Sequence, residues 1–362
     1  MSAIIDVLKL AGTATADVTS DKGYFPVICG LGGSECLVAL RGGAGHLGLG
    51  GRLDVVHSAD GGRTWAEPIT VADSERDDRN PALGRAADGT LVLAYHWQGS
   101  YDTDGKWDPQ IRRTDTRLVY SRDNGQSWTD DRLLDYAPLN GSSPFGKIRR
   151  DRAGTLYMPI YGGGKIPTDV EPHFSVGPAT TPTYILRSRD NGQSWGEPVF
   201  VALGLNEADL LIMDDGDWLF AARSEERGEQ AIYTCRSADE GKSWGDLTRV
   251  TEPSEHPPDL TQLGNGQVLL TFGRRHAPFG IEGMISADGG RSWGTRRMAL
   301  ATDLPGTDIG YTSTLRFDDG RLLTVYYAAG TAETPNDVYI ARNAYCRAVS
   351  YDEVELLQAL AE

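Results

Sequence analysis

Ser58-Ala-Asp-Gly-Gly-Arg-Thr-Trp65 is the stretch on which the fold turns. The same S-x-D-x-G-x-x-W pattern returns at 121–128, 188–195, 237–244 and 286–293, five copies in all. Each follows a short β-type run, such as Leu53-Asp-Val-Val-His57, Leu118-Val-Tyr120 or Ala231-Ile-Tyr-Thr-Cys235. Ser and Asp side chains hydrogen-bond the amides of a turn, Gly accepts positive φ, and Trp packs where the chain re-enters a strand. Five of the eight tryptophans stand in this one position. A repeat of this kind signals stacked supersecondary units rather than separate domains.

A second repeat sets the count. Gly33, Gly89, Gly154, Gly216, Gly266 and Gly320 each precede an apolar strand, as in Cys36-Leu-Val-Ala-Leu40 or Val268-Leu-Leu-Thr-Phe272, at spacings of 50–65 residues. Six units of four strands describe an all-β chain, a six-bladed β-propeller of four-stranded antiparallel blades forming one domain over residues 1–362. The sixth unit lacks the octapeptide, so Ile4-Ile5-Asp-Val-Leu8 is expected to supply its outer strand and close the ring. The tail Asp352-Glu-Val-Glu-Leu-Leu-Gln-Ala-Leu360 is apolar at helical intervals with acids near its start, which predicts a short helix over about 352–361.

Composition agrees and excludes other classes. Of 362 residues, 40% are apolar and 24% charged, enough for a large core, while 44 Gly and 18 Pro imply many tight turns. Acidic residues outnumber basic ones, 51 to 35, and the net charge of −16 argues against nucleic acid and anionic membrane as partners. No apolar run has the length of a membrane span. The opening MSAIIDVLKLAGTATADV has no basic segment ahead of its apolar one, and Cys29, Cys36, Cys235 and Cys346 have neither zinc-ligand nor disulfide spacing. A cytoplasmic location and no cofactor are expected. No metal site is evident, and no Rossmann or Walker glycine pattern occurs.

Strand parity locates the site. In each blade the Gly turn joins the inner strand to the second, and the octapeptide turn joins the third to the fourth, so both lie at one end. The opposite end collects the starts of inner strands, the ends of second strands and the loops between second and third. Two of these loops, 96–116 and 162–182, are far longer than ordinary hairpin connections and carry Trp97, Tyr101, Trp107, His173 and Phe174, suited to walling a pocket or stacking on a sugar. Inner strands begin with Arg79-Asn80-Pro81, Asn206-Glu207, His256-Pro-Pro-Asp259 and Asp308-Ile-Gly-Tyr311. Second strands end with Arg41, Tyr161, Arg223 and Arg274-Arg275. Arginines entering a funnel from several blades suit an anionic ligand, because guanidinium holds carboxylate bidentately; pairing between blades is the structural alternative.

The octapeptide is the Asp box of the sialidase (neuraminidase) superfamily, which nearly the whole chain resembles. The segment from Asn206-Glu207-Ala-Asp to Ala-Ala-Arg223-Ser resembles the stretch bearing the catalytic Glu and a substrate-carboxylate Arg, which implies those roles for Glu207 and Arg223. Asp308-Ile-Gly-Tyr311-Thr-Ser-Thr-Leu resembles the segment of the Tyr nucleophile, pointing to Tyr311. Arg274 or Arg275 falls near the place of a further Arg. The chain departs from the family where an Arg motif opens sialidases: Tyr24-Phe25-Pro26 stands there, and Tyr326-Tyr327-Ala328 lacks the Glu that supports that Arg. Arg79 or Arg41 can substitute from another direction. Asp77, Asp78, Asp259 and His46 are placed to serve as acid/base.

The resemblance implies a glycoside hydrolase acting on an acidic sugar, with Tyr311 and Glu207 catalytic and Arg79, Arg223, Arg274, Arg41, Asp259 and Trp97 binding substrate. A phenol is a poor nucleophile at neutral pH and needs such an adjacent base. Two alternatives stand beside it: a uronate polysaccharide lyase, in which Arg neutralises the carboxylate while Tyr311 or a His abstracts a proton, and a glycan-binding propeller without catalysis.

Overall fold

Glycine turns and octapeptide turns cut the chain into short antiparallel strands, which assemble into six small sheets. The computed structural model describes residues 4–163, 171–330 and 343–361. It is a six-bladed β-propeller. The first blade runs outward from the inner strand Tyr24–Gly32 through Glu35–Gly42 and Arg52–Ser58 to Ile69–Ala72. The second, fourth, fifth and sixth blades begin with the inner strands Asp77–Arg85, Leu205–Ile212, Asp259–Gln262 and Ile309–Arg316. Strands alternate their side chains between faces, and both faces of a blade meet a neighbour. The core is accordingly divided into apolar layers between adjacent blades. One layer packs Leu37 and Val55 of the first blade against Leu83 and Leu93 of the second. Another packs Val38 against Leu323 and Val325 of the sixth.

The third blade differs at its inner edge. Ser143–Pro144 and Arg149–Arg150 pair with Leu156–Tyr161, but Gly146–Lys147 between them pairs in parallel with Ala82 and Leu83 of the second blade. The detour carries Lys147 to the axis. Its ammonium donates to the Asp259 carboxylate of the fifth blade and to the Thr314 carbonyl of the sixth at 2.8 Å. Arg149 likewise binds Asp209 of the fourth blade at 2.7 Å, and that carboxylate also accepts from the Leu260 amide at 2.8 Å. These buried pairs tie four blades across the centre.

The octapeptides close their turns internally. Ser121 Oγ accepts from the Gly125 amide at 2.7 Å and donates to Asp123 at 2.8 Å, and Asp123 accepts from the Ser127 amide at 2.9 Å. Hydrogen bonds from Thr64, Ser127 and Ser243 hold the carboxyls of Asp60, Asp123 and Asp239 down at about 2. Trp128 and Trp195 donate to the carbonyls of Gly125 and Gly192.

Ring closure corrects the expectation for the N-terminus. Ile5–Asp6 pairs in parallel with Met298 and Ala299 on the fifth blade, and Val7–Lys9 is a 3-10 turn. The strand that completes the sixth blade is Ala14–Ser20, antiparallel to Tyr345–Asp352. Ala-Thr-Ala-Asp-Val-Thr-Ser carries little apolar signal, yet its Val18 is buried with Cys346 and Ala348. The C-terminal helix, Glu353–Ala361, is capped by Asp352, which accepts from the Val354 amide at 2.8 Å. Glu353 binds the Gly264 amide and Arg316, anchoring the helix on the fifth and sixth blades.

The two closures make opposite predictions. Val18→Asp buries an unpaired charge and should lower stability by roughly 3 kcal/mol or more. Leu8→Asp falls on a residue 46% exposed and should stay within about 0.5 kcal/mol of the parent. Urea unfolding midpoints check both, and equal damage from the two would contradict closure by Ala14–Ser20.

Candidate functional site

Four inner strands share a deformation at the funnel end. Phe25, Asn80, Glu207 and Tyr311 have φ of 55°, 49°, 20° and 49°. Each lies inside a register shift, between Tyr24 and Val27, Arg79 and Ala82, Asn206 and Ala208, or Gly310 and Ser313. A bulge of this kind bends a strand and re-aims a side chain. Non-glycine residues in this region are strained and persist only when surroundings hold them. At Tyr311 the holding is steric: Gly310 lies so close to Gly273 of the fifth blade that a Cβ on either would meet the other's Cα at about 3 Å.

The bulges bring Tyr311 and Glu207 together across the axis. The Tyr311 hydroxyl donates to Glu207 Oε1, and Glu207 Oε2 pairs with Arg223 Nη1 at 2.7 Å. Arg223 Nε is steadied by Asn206 at 2.8 Å. The Tyr311 ring packs on Phe25, Phe145 and Tyr327 at centroid distances of 4.7, 5.5 and 5.6 Å. The Arg275 guanidinium stands 5.4 Å from the same ring, with buried Nε and Nη2 that have no hydrogen-bond partner. Burial and the Glu207 carboxylate push the Tyr311 phenol well above its ordinary value, while Arg223 and Arg275 oppose them. The phenol is therefore held neutral, in contact with a carboxylate able to accept its proton. The guanidinium groups stand ready to favour phenolate as the proton leaves.

The other candidate residues divide. Arg79 stands 5.4 Å from the Phe25 ring, bordering the site, with Asp77 3.6 Å from its Nη1. Arg41 does not face a ligand. It is wholly buried, binds Asp77 at 2.9 and 2.7 Å, and caps the carbonyls of Ala44 and Gly48. Arg274 pairs with Glu282 at 2.9 Å, so of the two adjacent arginines Arg275 is the one at the site. Asp259 is engaged by Lys147 and by the Thr314 amide at 2.9 Å. Trp97 donates to Ser74 at 3.0 Å and packs with the layer between the first two blades. Its strand neighbours His96 and Gln98, on the other face, line the adjoining cleft. In the second long loop, Phe174 pairs beside Ala202, and positions 164–170 lie outside the described residues.

The acid/base candidates separate the same way. Asp77 holds Arg41 and accepts from the Tyr101 hydroxyl; Asp78 accepts the Ser74 amide and hydroxyl at 2.7 and 2.9 Å. His46 is placed differently. Its Nδ1 lies 2.7 Å from Asp308 Oδ1, which also accepts from Tyr327 at 2.6 Å. Its ring meets Phe25 edge-on at 4.9 Å, on the aromatic cluster that holds Tyr311. Burial raises the Asp308 carboxyl, but His46 and the Tyr327 hydroxyl outweigh it and keep the group below its usual range. Phe25, Asp308, Phe145 and Tyr327 were not legible as a cluster, because four separate segments supply them.

A family model described as a BNR repeat-like domain matches residues 52–325. This chain belongs to that family, within the sialidase superfamily. A sialidase of Clostridium perfringens is 24% identical over 193 residues, 49% of this chain and 48% of the relative. The chain spans about half the length of the curated relatives it matches. A Dyadobacter fermentans protein, described as of unknown function, superposes with a TM-score of 0.75 at 21% identity, covering 95% of this chain and 100% of that one. The intramolecular trans-sialidase of Ruminococcus gnavus gives 0.65 at 15% identity, covering 98% and 99%. These structures share the propeller fold.

In this BNR-repeat chain a cleft of about 780 Å³ opens beside the Tyr311–Glu207 pair. Asn80 borders both the cleft and the small space beside Tyr311, and donates to Ser143 at 2.9 Å and to the Tyr161 hydroxyl at 3.3 Å, both in the cleft wall. His96 lies in the same wall, its pKa lowered to about 4 by burial and then by the Arg79 charge. An unfolded His protonates near 6.5, so His96 supplies stability that is complete above pH 6.5 and is lost as pH falls toward 4. The effect is roughly 3 kcal/mol. Thermal midpoints between pH 4 and 7.5 should therefore fall less steeply in His96→Gln than in the parent. Identical slopes would remove His96 from the acid response.

Proposed function

We propose that this protein is a glycoside hydrolase acting on an acidic sugar or glycan, with Tyr311 as nucleophile and Glu207 as its base. The observation that carries the reading is the buried chain from Tyr311 through Glu207 to Arg223, aligned with segments that resemble the sialidase nucleophile and Glu stretches. Tyr311 Oη attacks the anomeric carbon as its proton passes to Glu207. The bond to the leaving oxygen breaks, and His46, oriented by Asp308, supplies that oxygen with a proton. Water then attacks the tyrosyl glycoside, giving its proton to His46, while Glu207 returns the phenol's proton. Each step conserves the protons the two groups hold.

Arg223, Arg275 and Arg79 form the anion cradle in this reading. Phe25 occupies the place where the sialidase resemblance expects another Arg, with Tyr327 opposite it where a supporting Glu is expected. The cradle is thus weighted to one side of the funnel, which favours an acidic sugar whose charge is presented differently from that of sialic acid.

A screen of acidic-sugar aryl glycosides and uronate polysaccharides tests the function. Reducing-sugar release without an ultraviolet-absorbing product supports hydrolysis, an unsaturated uronate supports the lyase, and affinity without turnover supports the binder. On any substrate turned over, Tyr311→Phe removes a single hydroxyl and should lower kcat by on the order of a thousandfold with folding intact; full activity would dismiss the nucleophile. His46→Gln should cost about a hundredfold with a poorly acidic leaving group and far less with a nitrophenol, which needs no proton. Equal losses on both would remove His46 as the acid.

A further inference from the structure

The cleft between the second and third blades is far larger than the space around Tyr311, and it lies in the ~300–1,000 Å³ range of small-molecule sites. Its lining has an unusual balance. In a chain of net charge −16, none of the described residues lining this cleft is Asp or Glu, whereas Arg79 and Arg112 are both present. Among the described residues Arg112 has no carboxylate within salt-bridge distance, and it is exposed. His96 stays neutral above about pH 4, so among the described lining residues the positive charge resides on the two arginines.

Trp107 adds an aromatic face. It is 43% exposed at the cleft rim, on the long loop after the second strand of the second blade. That loop is held by its own contacts. Tyr101 pairs with Trp107 in an isolated bridge, accepts the Gly48 amide at 3.0 Å and donates to Asp77. Ser100 Oγ donates to the Arg113 carbonyl at 3.2 Å and accepts the Arg113 amide at 2.9 Å. An exposed indole lining the same cleft as amides and hydroxyls suits the two sides of a sugar ring, one apolar and one hydroxylated.

We propose that this cleft is a subsite for an anionic oligosaccharide. One sugar unit beyond the cleaved linkage lies on Trp107, and its carboxylate or sulfate is held by Arg112. The proposal rests on the hydrolase reading only for the direction in which the glycan runs. Arg79 and Tyr161, at the inner end of the cleft, lie next to the catalytic pair: Arg79 on the Phe25 ring, and Tyr161 close enough for Glu207 to raise its phenol. One glycan can therefore occupy both places.

Binding, rather than turnover, separates this inference from the catalytic one. Full-length Tyr311→Phe protein is titrated calorimetrically with tetragalacturonate, a κ-carrageenan tetrasaccharide and neutral cellotetraose. Trp107→Ala and Arg112→Gln are then added singly to that background. The expected result is binding of at least one charged oligosaccharide, weakened about fivefold or more by either change, with cellotetraose bound more weakly. The carboxylate and sulfate probes identify which anion is preferred. Both substitutions fall on exposed side chains, and unchanged thermal midpoints show that the fold is intact. Binding that depends on Trp107 and Arg112 without any turnover by the parent would retain this site and dismiss the hydrolase. Affinities unchanged by both substitutions, no binding of any probe, or equal affinity for cellotetraose would overturn the subsite.

Discussion

At the funnel mouth Phe25, Asn80, Glu207 and Tyr311 hold positive φ inside register shifts of their inner strands, and the site is built from these four points. A regular strand would send successive side chains to opposite faces of its blade, into the layers between neighbours. The bulge breaks that alternation for one residue and turns it toward the axis. Each such residue costs of order 1–3 kcal/mol. The offset comes from the packed blades on either side and from ties such as Lys147–Asp259 and Arg149–Asp209. The strained end and the tied centre belong to one design: blades bonded to one another across the axis let the mouth hold side chains in positions that a free strand would not adopt.

Electrostatics at the mouth follow from the same arrangement. Six blades bring arginines from several directions, but most are consumed by carboxylates of the scaffold. Arg41 belongs to Asp77 and Arg274 to Glu282. Arg275 is different, since its buried Nε and Nη2 lack partners while its charge sits over Tyr311. A buried donor without an acceptor is costly, and an anionic ligand would satisfy it. Phe25 gives the opposite lesson. Its aromatic ring brings no charge to the mouth and completes the apolar packing behind Tyr311, with Tyr24, Tyr327 and His46 around it.

How much the chain disclosed depended on the range of the interaction involved. The octapeptide was legible because Ser121, Asp123, Gly125 and Ser127 bond one another within a few residues. Blade number followed from the six glycine turns, and the end that carries Tyr311 and Glu207 from strand parity. Tyr311 and Glu207 were traceable because both open inner strands, although the bulges that make them meet leave no pattern in composition. Trp97 shows the limit of a loop-length argument, since strand alternation gives the cleft to His96 and Gln98 instead. The closing strand was misplaced because Ile4-Ile5 is more apolar than Ala14–Ser20, while the pairing that decides the matter joins opposite ends of the chain.

That pairing has a consequence for how the molecule is made. Ala14 finds its partner at Ser350 and Ser20 at Tyr345, so this strand must wait for one that is synthesised only after five further blades' worth of chain. At about 5–20 residues per second a ribosome needs tens of seconds to cover the interval. Throughout it the N-terminal strand has no sheet to join, and the first and sixth blades have no shared layer. Unpaired edges invite association with other chains. The weak apolar character of Ala-Thr-Ala-Asp-Val-Thr-Ser, poor as a signal to a reader of the sequence, makes this segment safe to leave exposed during synthesis. Its adhesion is supplied by the completed ring.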